Sequence, residues 1–327
     1  MPGMNPGNSQ VHVNQVLTNV SVAYIQSASD FVADKIFPIV PVDKQSDRYI
    51  VYNKNDWFRD EAELRAPGTE SAGGGYNIDN TPTYYAAKWG YHKDIPWDLR
   101  DNADAGINLD RDATEFVTQR MLIRRERDFS DKYFKAGIWA NDYQGVASAP
   151  TATQFIKWSD YSASNPLNDI SKKRLDIKRT TGYRPNVLLI GEEVLEALKQ
   201  HPMIIDRYKY TNSSAITVDM IAKLFEIDKI VVGGAVYAVN DEGGTEEYKF
   251  IHGKNALLVY AAPRPSLMQP SGGYIFAWKG LTGGLGYSTA IDKFTIRRTK
   301  VDRVEGESAW DAKLVSADMG AFFNECV

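Results

Sequence analysis

Between Asp43 and His92 the chain offers two β-rich stretches, DRYIVYN and TPTYYAAKWGYH, separated by the long insertion WFRDEAELRAPGTESAGGGYNIDN. Aromatic and β-branched residues favour strands, while Pro67-Gly68 and the run Gly73-Gly74-Gly75 supply turns. If the two stretches pair, they make a hairpin with a long excursion at its tip. Such a ribbon has few local partners with which to bury Trp57, Phe58 and Leu64, and a two-stranded ribbon is marginal on its own. The segment therefore demands packing partners from outside itself, and a second molecule is their expected source.

Residues 1 to 40 add to that demand. They open with Pro, Gly and Asn and turn apolar in VLTNVSVAYIQ and FVADKIFPIVPV without a long clean helical period, which reads as an arm that needs something to lie on. The rest of the chain can support a proper core: 327 residues suffice for one large domain or two ordinary ones, and 43% hydrophobic with 24% charged residues is a globular composition. A net charge of −4 and a pI near 5.7 give no basic field for a dedicated nucleic-acid binder. Cys326 is the only cysteine, so an internal disulfide and a thiolate metal cage are excluded, and its place beside the C-terminus predicts a mobile thiol. The opening MPGMNPGNSQ lacks the order of a signal peptide, and no run approaches the ~18 apolar residues of a membrane span. The expectation is a soluble, non-exported chain.

Past the hairpin, Asn108 is placed to cap a long helix over about 109–136, with Asp110 and Asp112 in its first turn and Gly137 beyond its end. GIWANDYQGVASAPTATQ reads as a loop or weak strand. A second helix is expected from Asn165, with Pro166 at its first position and Gly182 after its last turn. PNVLLIG is a short buried strand, GEEVLEALKQ a helix stopped before Pro202, and ITVDMIAKLFEI a helix with Thr217 near its start. KIVVGGAVYAVN and ALLVYAA are strands, and TAIDKFTIRRTKVDRVEGESAW is a β-like stretch near the end. The order lacks a regular βαβ beat, so the fold class is α+β, and no repeat at periods of roughly 20 to 50 residues is visible.

Catalytic patterns are missing. None of GGGYN, VVGGAV and TGGLGY fits a phosphate loop, and His12, His92, His201 and His252 are scattered without ligand spacing. DNADAGINLDRD lacks the ligand register of a calcium loop, and no nucleophile elbow is present. In RMLIRRER the basic residues Arg120, Arg124, Arg125 and Arg127 are interleaved and followed by Glu126, Asp128 and Asp131, as on a salt-bridged helix face. Catalytic, cofactor-binding and metal residues are therefore expected to be none.

Three passages in this order resemble a known family. FVADKIFPIVPVDKQSDRYIVYNKNDWFRDEAELRAPGTES resembles its passage from arm into extended loop, with the RAPG element at Arg65 to Gly68. YHKDIPWDLRDNADAGINLDRDATEFVTQRMLIRRERDFSD looks like its lead-in to a long spine helix, down to a glutamate, Glu126, in the later turns. RPNVLLIGEEVLEALKQHPMIIDRYKYT followed by ITVDMIAKLFEIDKIVVGGAVY is similar to its central domain. The family is the major capsid proteins of tailed bacteriophages, with the Hong Kong 97-type fold.

The resemblance implies an N-terminal arm (1–42), an extended β-hairpin loop (43–92), a peripheral domain with the spine helix (93–160), an axial domain (161–285) and C-terminal strands returning to the peripheral domain (286–327). It implies a structural protein that is not an enzyme and uses no cofactor. Such a protein self-assembles as hexamers and pentamers into the icosahedral head shell around a double-stranded DNA genome. It implies a virion location after assembly in the host bacterial cytoplasm, non-specific contact with packaged DNA, no membrane, and scaffolding, portal and decoration proteins as further partners. A fused scaffold is expected to be absent or already removed. Lys54 and Lys88 lie near the ends of the loop, but without a recognisable glutamate-asparagine arrangement no lysine–asparagine crosslink is expected.

On the loop, alternating charge beside aromatics nominates Arg59, Glu61, Glu63, Arg65, Trp57 and Phe58 as inter-subunit contacts. The arm is expected to differ between free and assembled subunits. Rival readings are an encapsulin-type nanocompartment shell, another phage structural part such as a tail tube or decoration protein, and an enzyme using His92, Asp94 or Asp98.

Overall fold

The computed structural model describes residues 25–103, 107–208, 216–240, 243–265, 269–282 and 289–327. Most of VLTNVSVAYIQ, His12, and most of TGGLGY lie outside these residues. The described part begins with the arm, whose helical turn α1 (Ala33–Ile36) leads into β1 (Ile39–Val42). The excursion follows as β2 (Ser46–Arg48), β3 (Val51–Tyr52), the helical turn α2 (Lys54–Trp57), β4 (Ile78–Asp79) and β5 (Thr83–Tyr85). β2 pairs with β5 and β3 with β4, both antiparallel, so the two β-rich stretches do form one interrupted ribbon.

β6 (Ala87–Pro96) carries the ribbon into the body, and α3 (Trp97–Asp101) turns it toward the long helix α4 (Leu109–Tyr133). Asn108 caps α4 by accepting from the Arg111 amide, with Asp110 and Asp112 in the first turn. Residues Ala113, Val117, Met121 and Phe129 fall on an i, i+4 stripe and are buried. The helix ends at Tyr133, three residues short of the expected 136, and Gly137 lies beyond it with φ +86°.

β7 (Asn141–Val146), β8 (Gln154–Ile156), α5 (Pro166–Thr181), β9 (Val187–Gly191), α6 (Glu192–Gln200), α7 (Pro202–Tyr208), α8 (Val218–Leu224), β10 (Lys229–Gly233), β11 (Val236–Ala238), β12 (Tyr248–Phe250) and β13 (Ala256–Val259) come next. α5 has the termini read from the sequence: Asn165 accepts from the Asn168 amide, Pro166 opens the helix, and Gly182 closes it in the left-handed region at φ +76°. The helix α7, starting at Pro202 itself, was not expected. β14 (Gly273–Trp278), α9 (Lys279–Thr282), β15 (Ala290–Ile296), β16 (Val301–Leu314) and β17 (Gly320–Asn324) complete the chain.

Two sheets organise these elements. In the five-stranded sheet β16 is the axis: Trp310 pairs with Ala87 of β6 on one edge and Ala277 of β14 on the other, while β15 continues the β14 edge. β1 lies parallel to β14 outside it. The second sheet has the order β10-β9-β13-β17-β7-β8 and is buried on both faces. Alternation along its strands sends Val187, Leu189, Leu257, Val259 and Phe322 into the core shared with the arm and α4. Leu188, Ile190, Leu258 and Phe323 enter the opposite core with Trp158, Ile170 and Ile177.

NDYQGV, read as a loop or weak strand, is the strand β7, held by parallel partners on both sides. Two expectations need correction. β15 and β16 pair as one hairpin in the sheet containing β6, but β17 crosses to the centre of the six-stranded sheet, so residues 286–327 are divided between the two sheets. Cys326 is not mobile: it is buried, its amide donates to the Lys254 carbonyl at 2.8 Å, and its carbonyl accepts from Trp158 at 2.6 Å.

Candidate assembly surfaces

The excursion supplies no residue between 53 and 77 to the buried core clusters. Its own packing is a ring group: Trp57 meets Tyr52 edge-on at 6.0 Å and Tyr76 at 5.5 Å. Even so Trp57 remains 50% exposed and Phe58 58%, while Leu64 is fully exposed, leaving apolar surface open to a partner. Phe58 leans on the C-cap of α5, where a Cβ on Gly182 would sit 3.2 Å from its ring. Arg59 is paired within the loop, with Asp56 at 3.2 Å and Glu61 at 3.5 Å. Arg65 donates to the Thr69 carbonyl, and Glu63 is exposed. Lys54 pairs with Asp318 and Lys88 with Glu307 at 2.6 Å. The six nominated residues thus share one peripheral element.

The arm behaves differently from its sequence. Val32, Ala33, Ile36 and Phe37 are sealed into the main core of their own subunit, where Phe37 packs edge-on to Phe129 at 5.2 Å. Upstream, the Gln26 side chain bonds both the amide and the carbonyl of Val236, each at 2.7 Å, as a strand backbone would. Among the polar residues of α4, Glu126 is fully buried. One carboxylate oxygen accepts from the Val32 and Ala33 amides at 3.0 and 3.1 Å, and the other lies 3.3 Å from Nε2 of His252. Burial pushes the Glu126 carboxyl up to about 7, against the two amide bonds, and pushes His252 down to about 3. Sequence reasoning grouped Glu126 with salt-bridging acids. That holds for its neighbours, since Lys132 pairs with Asp128 at 2.9 Å and Arg127 with Asp131 at 3.8 Å; Asp128 is buried too but keeps its cation, whereas Glu126 faces the arm amides and His252. The basic face also stacks: Arg124 lies 4.4 Å over Trp89 and Arg127 4.4 Å over Tyr237.

At the other end of α4 an ionic cluster joins four elements. Arg100 of α3 grips Asp110 bidentately at 2.7 and 3.0 Å and reaches Asp302 of β16 at 3.1 Å, and Lys293 of β15 meets Asp110 at 2.7 Å. The Arg100 hydrogen bonds hold the Asp110 carboxyl well below the usual carboxylate range. Asp94 on β6 is similarly held down by its bidentate bonds to Arg303 at 2.7 and 2.9 Å. That pairing commits Asp94 to the sheet; His92 lies exposed on the same face of β6, and Asp98 sits in α3. Among the described residues no three His, Cys, Asp or Glu side chains gather as a metal site, and no helix is long and apolar enough to cross a membrane.

Two sheets, a spine helix laid across one of them and a two-stranded excursion that adds no residue between 53 and 77 to the buried clusters define the class. Solved structures share this fold along nearly the whole chain. A phage-related protein of Bordetella bronchiseptica RB50 superposes with a TM-score of 0.68 at 22% identity, covering 92% of this chain and 94% of that one. The capsid of cyanophage P-SCSP1u gives 0.63 at 8% identity, covering 98% and 95%. The SrpI encapsulin of Synechococcus elongatus PCC 7942 gives 0.56 at 13% identity, covering 96% of each. The chain therefore has the α+β fold of Hong Kong 97-type capsid subunits.

Sequence relatives narrow the class. The chain is 28% identical to the major capsid protein of Pseudomonas phage JBD67 over 328 residues, 98% of this chain and 99% of that protein. It is 25% identical to the major capsid protein of Burkholderia phage BcepMu over 315 residues, 94% of each. No protein-family model matches. The resemblance read from the three sequence passages is borne out: the chain is a homologue of phage major capsid proteins.

Proposed function

We propose that the chain is the major capsid protein of a tailed phage, building the icosahedral head shell around double-stranded DNA. The observation that carries this reading is end-to-end likeness to phage major capsid proteins in a chain with the capsid fold. Hexamers and pentamers are the proposed building units. The extended loop and its half-exposed rings are suited to overlap a neighbour, and obligate assemblies of this kind bury above ~2,000 Å² per interface. Trp57 and Phe58 supply apolar area, and Arg59, Glu61, Glu63 and Arg65 supply matched charge. Residues 1–42 act as arm and 43–92 as extended loop; the spine helix of 93–160 with β14, β15 and β16 makes the peripheral domain, and 161–285 make the axial domain except for β14, with β7, β8 and β17 joining its sheet. Assembly takes place in the host bacterial cytoplasm, with scaffolding, portal and decoration proteins as further partners. The shell lining touches DNA weakly and without sequence preference, in keeping with the net charge of −4. The role is structural and needs no cofactor.

An encapsulin-type shell is the second reading, favoured only by the shared fold. Electron microscopy and sedimentation of the purified chain, expressed alone and with its neighbouring genes, test the first. Closed shells or free hexamers and pentamers support it, DNA-filled particles exclude a cargo compartment, and a monomer under every condition defeats it. Arg65→Glu tests the loop: unchanged assembly would remove Arg65 from the contact.

A further inference from the structure

The arm is fastened to the spine helix by one buried carboxyl group rather than by apolar contact alone. Glu126 sits in the fifth turn of α4 with no exposed surface, and one of its oxygens accepts both amides at the start of α1. The second oxygen faces the ring of His252, from the turn after β12, at 3.3 Å. His252 is itself confined: its ring meets Phe134 edge-on at 4.9 Å, and a Cβ on Gly233 would come within 2.3 Å of Nδ1. Neither ring nitrogen nor the second Glu126 oxygen has a well-formed hydrogen bond. The other charged groups acting on the carboxyl are Asp34 of α1, which opposes its ionisation, and Arg125 of α4, which favours it.

We propose that Glu126 is a proton-linked latch for the arm: docking residues 31–37 on α4 holds a proton in the Glu126–His252 pair, and lifting them releases it. A buried carboxylate without a paired cation is costly, so the docked site favours the protonated form. Lifting the arm removes the two amide donors but admits water, and because burial is the largest influence on the group its pKa falls back from about 7 toward its ordinary 4.5. A carboxyl with a raised docked-state pKa gives docking its full strength below about 4.5, and that strength is lost as pH rises through about 7. His252 stays covered by Phe134 and Gly233, and burial holds its ring below its ordinary pKa, toward the neutral form. The linkage thus runs opposite to the familiar acid-triggered histidine switch: acid closes the arm and mild alkali loosens it.

The test is hydrogen exchange of the full chain, read by mass spectrometry on peptides covering residues 31–37 between about pH 5 and pH 8. Rates are corrected for intrinsic exchange, and particle size is checked at each pH. The opening equilibrium of these amides should rise roughly fifty- to a hundredfold across that range, while amides of β9 stay unchanged. Glu126→Gln keeps the shape and the acceptor but cannot titrate, and should flatten the profile. A wild-type opening equilibrium that is constant, or that falls with rising pH, overturns the latch whether or not the variant folds. An unaltered pH dependence in Glu126→Gln overturns it equally.

Discussion

Cys326 carries its lesson in two hydrogen bonds. The sequence places it beside the chain end, where a local prior says mobile. Its surroundings come from Lys254 and Trp158, far away in sequence, and the burial they enforce pushes the thiol pKa well above its ordinary value. The native protein should therefore refuse a thiol reagent at neutral pH and react with one equivalent after denaturation; ready labelling of the folded chain would contradict this. Gly182 was legible for the opposite reason, since a C-cap is decided within one turn. With φ at +76° and the Phe58 ring at 3.2 Å from a built Cβ, Gly182→Ala should cost on the order of 1 kcal/mol or more in denaturant unfolding. Glu126 was visible as a residue but not as a site, because nothing local tells a buried face of α4 from a salt-bridged one when charges occur on both.

Elements divide along the same line. α4 and α5 could be read with their caps because helix signals are local. β7 was open between loop and weak strand: NDYQGV is polar, and its strand state is imposed by β17 and β8, the first of which lies more than 170 residues away. The spine helix also supports two measurable expectations. Phe129→Ala removes a ring buried against Phe37 and Tyr133 and should lower unfolding stability by about 3–5 kcal/mol, seen as a lower denaturant midpoint at unchanged slope. Asp110 and Asp94, both held below their ordinary range by arginine hydrogen bonds, contribute stability that is present above about pH 4 and lost as pH falls further. Amides of α3 and β15 should lose exchange protection in acid, and Arg100→Ala should lower their protection at neutral pH and weaken that acid dependence.

At the scale of the whole molecule, the α+β class and the succession of arm, loop, spine helix and central strands were legible because each has its own composition. The allocation of strands to two sheets was not, since it rests on pairings such as β17 with β13 and β7. The excursion makes the clearest prediction at this scale. Tyr52 and Ile78 face each other in register, so residues 53–77 can be replaced by a two-residue Asn-Gly turn. Because the excised segment adds nothing to the buried clusters, the melting temperature should move by only a few degrees, while sedimentation should show that shells no longer close. Retained closure would assign the overlap to another element.

The ten-residue register between β6 and β16 has a mechanical consequence. The excursion enters the body through β6, so tension along it runs parallel to that strand and perpendicular to its hydrogen bonds to β16. Such a load is shared by the whole ladder at once, in shear, instead of unzipping it one bond at a time. The chain's most extended feature is thus rooted in the geometry best suited to withstand a pull along its own length.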